Sequence, residues 1–474
     1  MRDRVPSERK VARCMTVLLT AALAGCATLP ADRGLGDLQK LVADHGGPAL
    51  PAADATQNAW INELLQRPLA ARDAARIALV NNPRIRGEYA RLGIASADVY
   101  DAGRLSNPRF STSVRNSNAT GAADQVTFGL AQSFSDLLLL RARSRLASGE
   151  FARAKQQTAQ AILNFVGEVE VAYFTYAGAQ QVAAMRAKIA DAAAASAELA
   201  RRLFDAGNLS ARELAQEQSA ASAAKLGALQ ATFEQRAAQA IVNETLGLGA
   251  GSPDWQAASA LPVPLGPEDA LAELLPLAAQ SRLDLAAQRS EVKLLADALK
   301  LTRRYRYLAS VEVGVETERE TDRSRITGPT LSLELPIFNQ GAGKVARAEG
   351  LLAAAESTLA TLEITVANSV TLAAERMHAA RERAELLRTE LIPQREDVVK
   401  TTQQEVNYML AGQFTLLLVK QQAYDAYQQY LEALRDYWIA RAELTRAVGA
   451  RLPSEASAAS MDTAAPAPQP GENP

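Results

Sequence analysis

The chain has 474 residues, of which 48% are hydrophobic and 5% aromatic, and its formal net charge is −2. Abundant Ala, Leu, Glu, Gln and Arg favour long helices over the two to four globular domains expected at this length. Because the lysines and arginines are scattered, no basic patch predicts nucleic-acid binding.

The N-terminus has the pattern of an export signal. Five basic residues precede a short apolar stretch, residues 15–24, that cannot span a bilayer. It ends in Leu23-Ala24-Gly25-Cys26, which resembles the lipobox of bacterial lipoproteins. That resemblance implies that residues 1–25 are a signal peptide, that Cys26 carries N-acyl and diacylglycerol lipid, and that the protein is sorted to the outer membrane, since Ala27 is not aspartate. The alternative is a plain secretory signal with a chance cysteine.

Residues 26–59 are rich in Ala, Gly, Asp and Pro, which predicts an extended tether. Residues 60–247 and 268–449 then look like two copies of one unit, joined by a Gly- and Pro-rich linker at 248–267. Each unit is predicted to contain a helix, two strands, a very long helix, a turn and a final helix. Residues 450–474 are rich in Ser, Ala and Pro and are predicted to be disordered.

The long helices carry apolar residues every 3.5 positions, as helices that pack side by side over their length do. At about 1.5 Å per residue, seventy residues form a rod roughly 100 Å long. The turns between these helices contain Gly207 in one unit and Gly412 in the other. Each glycine is followed three residues later by a candidate helix cap, Ser210 or Thr415.

Two β-hairpins are predicted, at about 107–135 and 308–338. Their strands alternate apolar and polar residues, most clearly in residues 311–316 and 330–337, and the polar segments 116–124 and 318–325 are predicted to be their loops. This pattern is typical of a transmembrane β-barrel, with the apolar faces toward lipid. The polar residues predicted to line water are Glu312, Glu316, Ser332 and Glu334.

A single chain cannot close such a barrel. Within lipid every backbone polar group must be paired, and the smallest barrels need about eight strands. The sequence therefore predicts a mixed α/β membrane protein in which three chains, with four strands each, form a trimeric 12-stranded transmembrane β-barrel continuous with a long periplasmic α-helical barrel. The alternative is a soluble sheet packed on another protein.

These elements together resemble the TolC-like outer-membrane efflux channel family, in its lipoprotein branch. The resemblance covers residues 60 to 450. It is carried by Asn107-Pro108, by residues 281–285, 333–339 and 430–438, by Val448-Gly449 and by the turns at Gly207 and Gly412.

The resemblance implies a homotrimeric, passive duct in the outer membrane of a Gram-negative bacterium, with a periplasmic extension. It would export small toxic compounds, drugs or metal ions, with a periplasmic adaptor protein and an inner-membrane efflux pump that is expected to be proton-driven. No nucleic acid is implied.

The helical tips carry the residues that the resemblance implies for adaptor docking. They are Gly207, Asn208, Leu209 and Ser210 in the first turn and Gly412, Gln413, Phe414 and Thr415 in the second. Relatives often have an acidic gate residue six positions after each tip glycine. Glu213 occupies that position in the first unit, whereas Leu418, followed by Gln421, occupies it in the second. Glu405 is a further gate candidate, and a solvated helix face is the alternative.

The sequence contains few residues in patterns that could form a catalytic site. His45 and His378 are the only histidines and lie far apart in the sequence, and no nucleophile triad or phosphate-binding loop is present. The sequence therefore predicts no enzyme, no metal site and no cofactor besides the lipid on Cys26. A periplasmic coiled-coil scaffold lipoprotein without a pore is the alternative function.

Overall fold

The structure is a computed structural model that describes residues 32–48, 57–116, 118, 123–249, 254–258, 260–266, 268–308 and 310–454. The predicted signal peptide and Cys26 lie outside the described residues.

The described chain is mostly helical, with one small antiparallel sheet. The elements of the first half are α1 (Leu35–Asp44), α2 (Gln57–Leu65), α3 (Ala71–Asn81), α4 (Pro83–Ala102), β1 (Arg109–Arg115), β2 (Gln125–Ser133), α5 (Phe134–Asp205) and α6 (Ala211–Leu246). Those of the second half are α7 (Leu271–Ser281), α8 (Leu283–Arg304), β3 (Val311–Arg319), β4 (Arg325–Leu333), α9 (Ala342–Leu386), a π turn (Leu387–Leu391), α10 (Ile392–Asn407) and α11 (Gln413–Val448).

From α3 in the first half and α7 in the second, both halves pass through the same order of strands and helices, with two helices before each hairpin where the sequence pattern predicts one. The first half has two further short helices, α1 and α2, ahead of these. In the first half the break is at Asn82, which caps α4 through a 2.9 Å bond from the Arg84 amide, with Pro83 at the first helical position. In the second half Arg282 has extended backbone between α7 and α8. Each break therefore turns the chain without interrupting the helical wall.

The sheet has the order β1-β2-β3-β4, with every neighbouring pair antiparallel. The loop between β3 and β4 is shorter than predicted, because the strands extend to Arg319 and from Arg325. The predicted strand through Ile337 is also too long. Its pairing stops at Leu333, opposite the first residue of β3, so residues 334–341 have no partner strand and form a connector before α9.

Each strand is joined at one end to a helix of its own, which is α4 for β1, α5 for β2, α8 for β3 and α9 for β4. In the first half the transition is direct, since Ser133 ends β2 and its Oγ accepts a bond from the Asp136 amide to cap α5. Next to the sheet the helices lie side by side in the order α4, α5, α8, α9. Farther from the sheet, α6 lies beside α5, α5 lies beside α11, and α11 lies beside both α9 and α10. The chain is thus an open segment of wall, made of strands at one end and helices at the other.

The core lies around the middle of the long helices, where the short helices pack against them. Leu38 and Val42 of α1 are fully buried against α5. Residues 35–44 are therefore a packed helix, and the prediction of an extended tether is wrong there. The predicted disordered tail also begins too early, because Leu452 is fully buried and Ser454 bonds to Asp269. Residues 455–474 lie outside the described part.

Candidate functional site

One face of the sheet is polar. Register places the side chains of Glu312, Glu316 and Ser332 on that face, with Glu312 directly opposite Ser332. Arg109 of β1 reaches across β2 to Glu312, with 3.1 Å between Nη1 and Oε1. Glu334 lies just beyond β4, and its amide donates to the Ser310 carbonyl. Three of the four predicted water-lining residues thus share one face of the sheet, and the fourth continues it.

The opposite face is apolar and uncovered. Its exposed side chains are Phe110, Val114, Phe128, Leu130, Val313, Val315, Leu331 and Leu333. Phe110 and Phe128 stack with their ring centroids 6.3 Å apart. Exposing so much contiguous apolar surface to water would be unfavourable, which marks this face as a site for lipid or protein.

The sheet also has two open edges. Within the described chain, β1 pairs only with β2, and β4 pairs only with β3. The helical wall has corresponding edges at α6 and α9, which expose apolar side chains such as Phe233 and Ile364, 71% and 64% accessible. Among the described helices, Ala342–Asn407 also contains a stretch apolar and long enough to cross a membrane by composition, of which 11% is buried within the chain.

The first helical tip turn connects α5 to α6. Gly207 has φ +77°, and the Asn208 amide donates to the Leu203 carbonyl at 2.9 Å. Ser210 then caps α6. Its Oγ accepts from the Glu213 amide, and the Glu213 carboxylate accepts from the Ser210 amide at 3.0 Å. The bonds from Ser210 lower the pKa of Glu213. This gate candidate is therefore engaged in capping its own helix.

The second tip turn, between α10 and α11, uses its glycine differently. Here Met409 has the positive φ, +64°, while Gly412 has extended backbone and is the residue before α11. Gly412 provides no side-chain cap, and Thr415 lies inside the first turn of α11. The prediction that Thr415 caps this helix is wrong. Because Met409 corresponds to Gly207, the position equivalent to Glu213 is Thr415 and not Leu418.

The two turns lie close together and present apolar residues. A groove is lined by Leu199, Leu203 and Leu209 from the first hairpin and by Gln413 and Phe414 from the second. The exposed apolar side chains at this end also include Tyr408, Met409 and Leu410, which are 77%, 94% and 78% accessible. The groove joins residues from both predicted docking segments, and the predicted docking residues do not include Tyr408, Met409 and Leu410.

The two tip glycines predict opposite effects of the same substitution. Gly207→Ser should weaken the first turn by about 1 kcal/mol, because serine disfavours positive φ. Gly412→Ser should stabilise α11 by a few tenths of a kcal/mol, because serine at that position can cap the helix. A Cβ would meet no atom within 4 Å at either position, so crowding plays no part.

Amide hydrogen exchange measures both changes. The Asn208 amide should exchange about fivefold faster in Gly207→Ser, while the first-turn amides of α11 should exchange more slowly in Gly412→Ser. Equal acceleration in both variants would contradict the assignment of the two turns.

Polar side chains connect the helical hairpins just behind the tips. Arg186 of α5 donates to Gln428 at 2.6 Å and to Asp425 at 3.3 Å, both on α11. Gln421, another gate candidate, donates to the same Asp425 at 3.0 Å. Leu418 is half exposed on α11, and Glu405 is exposed on α10. The four gate candidates therefore lie on three helices, α6, α10 and α11, and two of them, Glu213 and Glu405, are acidic.

A second connection joins α10 to α11. The Tyr427 hydroxyl donates to the Glu396 carboxylate, and this bond, with burial, raises the pKa of Tyr427 to about 12. Arg395 donates to Gln422 at 2.6 Å between the same helices. These bonds require a folded helix pair, so no sequence motif could identify them.

The described residues contain no group of three or more His, Cys, Asp or Glu side chains arranged to hold a metal ion. His45 Nδ1 donates to the Leu41 carbonyl at 2.8 Å, and His378 contacts Glu268 at 2.8 Å. Hydrogen bonding to Glu268 raises the pKa of His378. Each histidine thus has a local structural partner.

Comparisons with known proteins bear on this arrangement. Residues 74–248 match the family model described as outer membrane efflux protein. No curated protein sequence matches the chain.

Several solved structures are similar in fold. The Campylobacter jejuni CmeC outer membrane channel has 13% identity and a TM-score of 0.65, with 90% of this chain and 94% of that one covered. The Vibrio cholerae outer membrane protein VceC has 16% identity and a TM-score of 0.64, with 84% and 99% covered. The open state of the Neisseria gonorrhoeae MtrE channel has 16% identity and a TM-score of 0.64, with 80% and 89% covered.

Proposed function

We propose that three copies of the chain form a passive efflux duct, because residues 74–248 match the family model of outer membrane efflux proteins and the chain has the fold of solved outer-membrane channels. The duct lies in the outer membrane and extends into the periplasm. It carries small toxic compounds, drugs or metal ions, to the outside.

The observation that carries the proposal is that the sheet has two unpaired edges, β1 and β4, and that the helical wall has two corresponding edges. β1 and β4 leave backbone donors and acceptors unpaired, and lipid offers them no partner. Joining β1 of one copy to β4 of the next satisfies both edges and closes a ring by a head-to-tail contact. Three copies give twelve strands, an even number within the range of known barrels.

The same contact covers the helical edges. The exposed apolar side chains of α6 in one copy meet those of α9 and α10 in the next, so the strands and helices close as one tube. The polar sheet face, with Glu312, Glu316 and Ser332, then lines the bore, and the apolar face meets lipid. The wall needs no fuel, because a solute diffuses along an aqueous path once the tube is open.

The tips supply the contact with other components. Their exposed apolar groove, lined by Leu209, Gln413 and Phe414, fits a periplasmic adaptor protein, which in turn joins a proton-driven inner-membrane pump. Glu213, held by Ser210, and Thr415 at the equivalent position of the second turn form the constriction with Gln421 and Glu405. Lipid on Cys26 anchors each chain beside its barrel.

Bilayer recording tests the proposal directly. The purified protein should have the mass of three chains and should insert into planar bilayers as ion-conducting pores. A strictly monomeric protein that never conducts would reject the duct.

Cysteine labelling distinguishes the duct from a scaffold without a pore. Val313 and Glu312 are neighbours on β3 with side chains on opposite faces, which makes them a matched pair. In membranes, Val313→Cys should be protected from a water-soluble maleimide, and Glu312→Cys should react. Reaction at both positions would favour the scaffold.

A further inference from the structure

We propose that Arg141 and Arg145 of α5 with Lys300 and Arg304 of α8, here called the basic collar, bind the headgroup phosphate of anionic phospholipid in the periplasmic leaflet of the outer membrane. The proposal rests on the proposed function, since it requires the sheet to span that membrane. It assigns a lipid-binding site outside the bore.

The stripe on α5 has the spacing of an interfacial helix face. Phe134, Leu138, Arg141 and Arg145 follow one another at intervals of four, three and four residues, which places them on one side of the helix. Phe134 and Leu138 are 49% and 47% accessible, and both arginines are exposed. The helix therefore changes from apolar to basic along a single outward stripe.

The stripe continues to the outer side of the wall. Two heptads after Arg141, close to the same side of α5, Lys155 donates to Asp37 of α1 at 2.6 Å. Ser133, the last residue of β2, pairs with Glu312 and therefore lies on the polar face, so alternation places Phe134, where the stripe begins, on the opposite side. The basic collar therefore faces away from the bore.

The neighbouring helix provides the second half of the collar. Lys300 and Arg304 are exposed and lie one turn apart on α8. A groove runs between α5 and α8. Its basic lining residues are Arg145, Lys300 and Arg304, and its apolar lining residues include Leu146, Leu294 and Leu301. One acidic residue, Asp297, shares this groove and lies 3.0 Å from Lys300. Basic residues over an apolar floor match a phosphate attached to an acyl chain.

The height of the collar matches the lipid headgroups. A nine-residue strand at about 3.3 Å per residue, tilted by about 45°, crosses about 21 Å of membrane, whereas the apolar band of outer-membrane barrels is about 25 Å tall. The first turn of α5, with Phe134 and Leu138, supplies the missing length. Arg141 follows about 10 Å beyond Phe134, where hydrocarbon gives way to headgroups.

Tyrosine and arginine side chains near this level form further pairs. Arg306 lies over the Tyr307 ring at 4.2 Å, and Arg104 lies over the Tyr100 ring at 3.8 Å. Such side chains are favoured at a membrane interface, where their apolar part contacts hydrocarbon and their polar end reaches water.

Charge is concentrated at this level of the molecule. The segments that flank the strand ends, 100–109, 134–147, 297–308 and 334–349, contain eleven Lys or Arg and five Asp or Glu, a net charge of +6 in a chain whose formal total is −2. Attraction to an anionic leaflet explains why this excess occurs beside the membrane.

Trimer formation leaves the site open. α5 and α8 are the two central helices of the row α4, α5, α8, α9, so copies that join at the outer helices do not cover them. The groove is therefore available to lipid in the assembled ring.

Native mass spectrometry of the detergent-solubilised trimer tests the proposal, with phosphatidylglycerol and phosphatidylcholine of identical acyl chains as probes. The unmodified protein should retain phosphatidylglycerol preferentially, and added salt should reduce that preference. The R145Q/K300Q/R304Q variant should lose it by about tenfold or more, since each basic residue near an anionic surface contributes about a fivefold factor.

The matched control is K225Q/R388Q/K400Q, which removes the same charge from exposed positions on α6, the π turn and α10. It should retain the preference. Equal retention by both variants, equal loss in both, or displacement of phosphatidylglycerol by lipid A would overturn the proposal. Bilayer conductance separates the two hypotheses. Unmodified protein that conducts but shows no headgroup preference rejects the collar alone, and a protein that never inserts rejects the duct.

Discussion

Replacing Gly314 with valine is expected to prevent the sheet from forming with native register. Gly314 is buried at the centre of β3, between Ala131 of β2 and Thr330 of β4. A Cβ there would lie 2.7 Å from both the Leu130 carbonyl oxygen and the Thr330 hydroxyl. The first of these is backbone and cannot move without breaking the pairing of β2 with β3, so we expect a cost of about 3 kcal/mol or more.

Gly328→Val is the matched control, because Gly328 lies on the same polar face of the adjacent strand and a Cβ would meet no atom within 4 Å. Thermal unfolding of the detergent-solubilised protein should show a large decrease in Tm for Gly314→Val and little change for Gly328→Val. A similar decrease in both would mean that glycine flexibility, and not close strand approach, is what the sheet requires.

The faces of the sheet could be predicted from the sequence because alternation is a local property. Val313 and Glu312 lie on opposite faces whatever their partners are. The strand ends could not, because they depend on partners distant in sequence. Residues 334–337 continue the alternation of β4 but have no strand opposite, while Gly328 and Pro329 obscured the true start of β4 at Arg325. Proline is tolerated there because β4 is an edge strand in the single chain.

The similarity to outer membrane efflux proteins that the combined motifs predict is supported by the family-model match over residues 74–248 and by the fold, but the comparison of the two tip motifs is misleading. Gly207 and Gly412 occupy similar positions in similar sequences, yet only Gly207 has a left-handed backbone. In the second turn that conformation falls on Met409, a residue that rarely adopts it. Backbone conformation in a five-residue turn depends on where both flanking helices end, and a motif cannot specify that. The gate candidate that was placed by counting from Gly412 is therefore offset by one helical turn.

Replacing Arg282 with methionine is expected to lower the free energy of unfolding by about 2 kcal/mol. The Arg282 side chain is 14% accessible and pairs with Asp284 through two nitrogens. Its Nη1 also donates to the carbonyls of Ala447 at 3.0 Å and Arg446 at 3.5 Å, at the C-terminal end of α11. Losing these charge-assisted bonds leaves a half-buried carboxylate and helix-end carbonyls without their cation.

The first half of the chain performs the same task with neutral side chains. Asn82 donates to the Glu244 and Thr245 carbonyls at 3.2 and 2.9 Å, and Asn81 donates to the Leu246 and Gly247 carbonyls, all at the end of α6. Asn82→Ala should therefore also destabilise, by about 1 kcal/mol, since its bonds are neutral.

Arg289→Met is the control for Arg282→Met, because Arg289 lies on α8, the helix that Arg282 precedes, and also binds one carbonyl, of Ala279, and one carboxylate, of Glu363. Its side chain is 46% accessible, so its ion pair is screened by water, and its loss should cost less than about 1 kcal/mol. Urea titration measures the free energy of unfolding of all three variants, which are compared at an unchanged dependence of that free energy on urea concentration. If Arg289→Met were as destabilising as Arg282→Met, general charge balance on α8 would be responsible, and the junction at the end of α11 would have no special part in holding the two halves of the wall together.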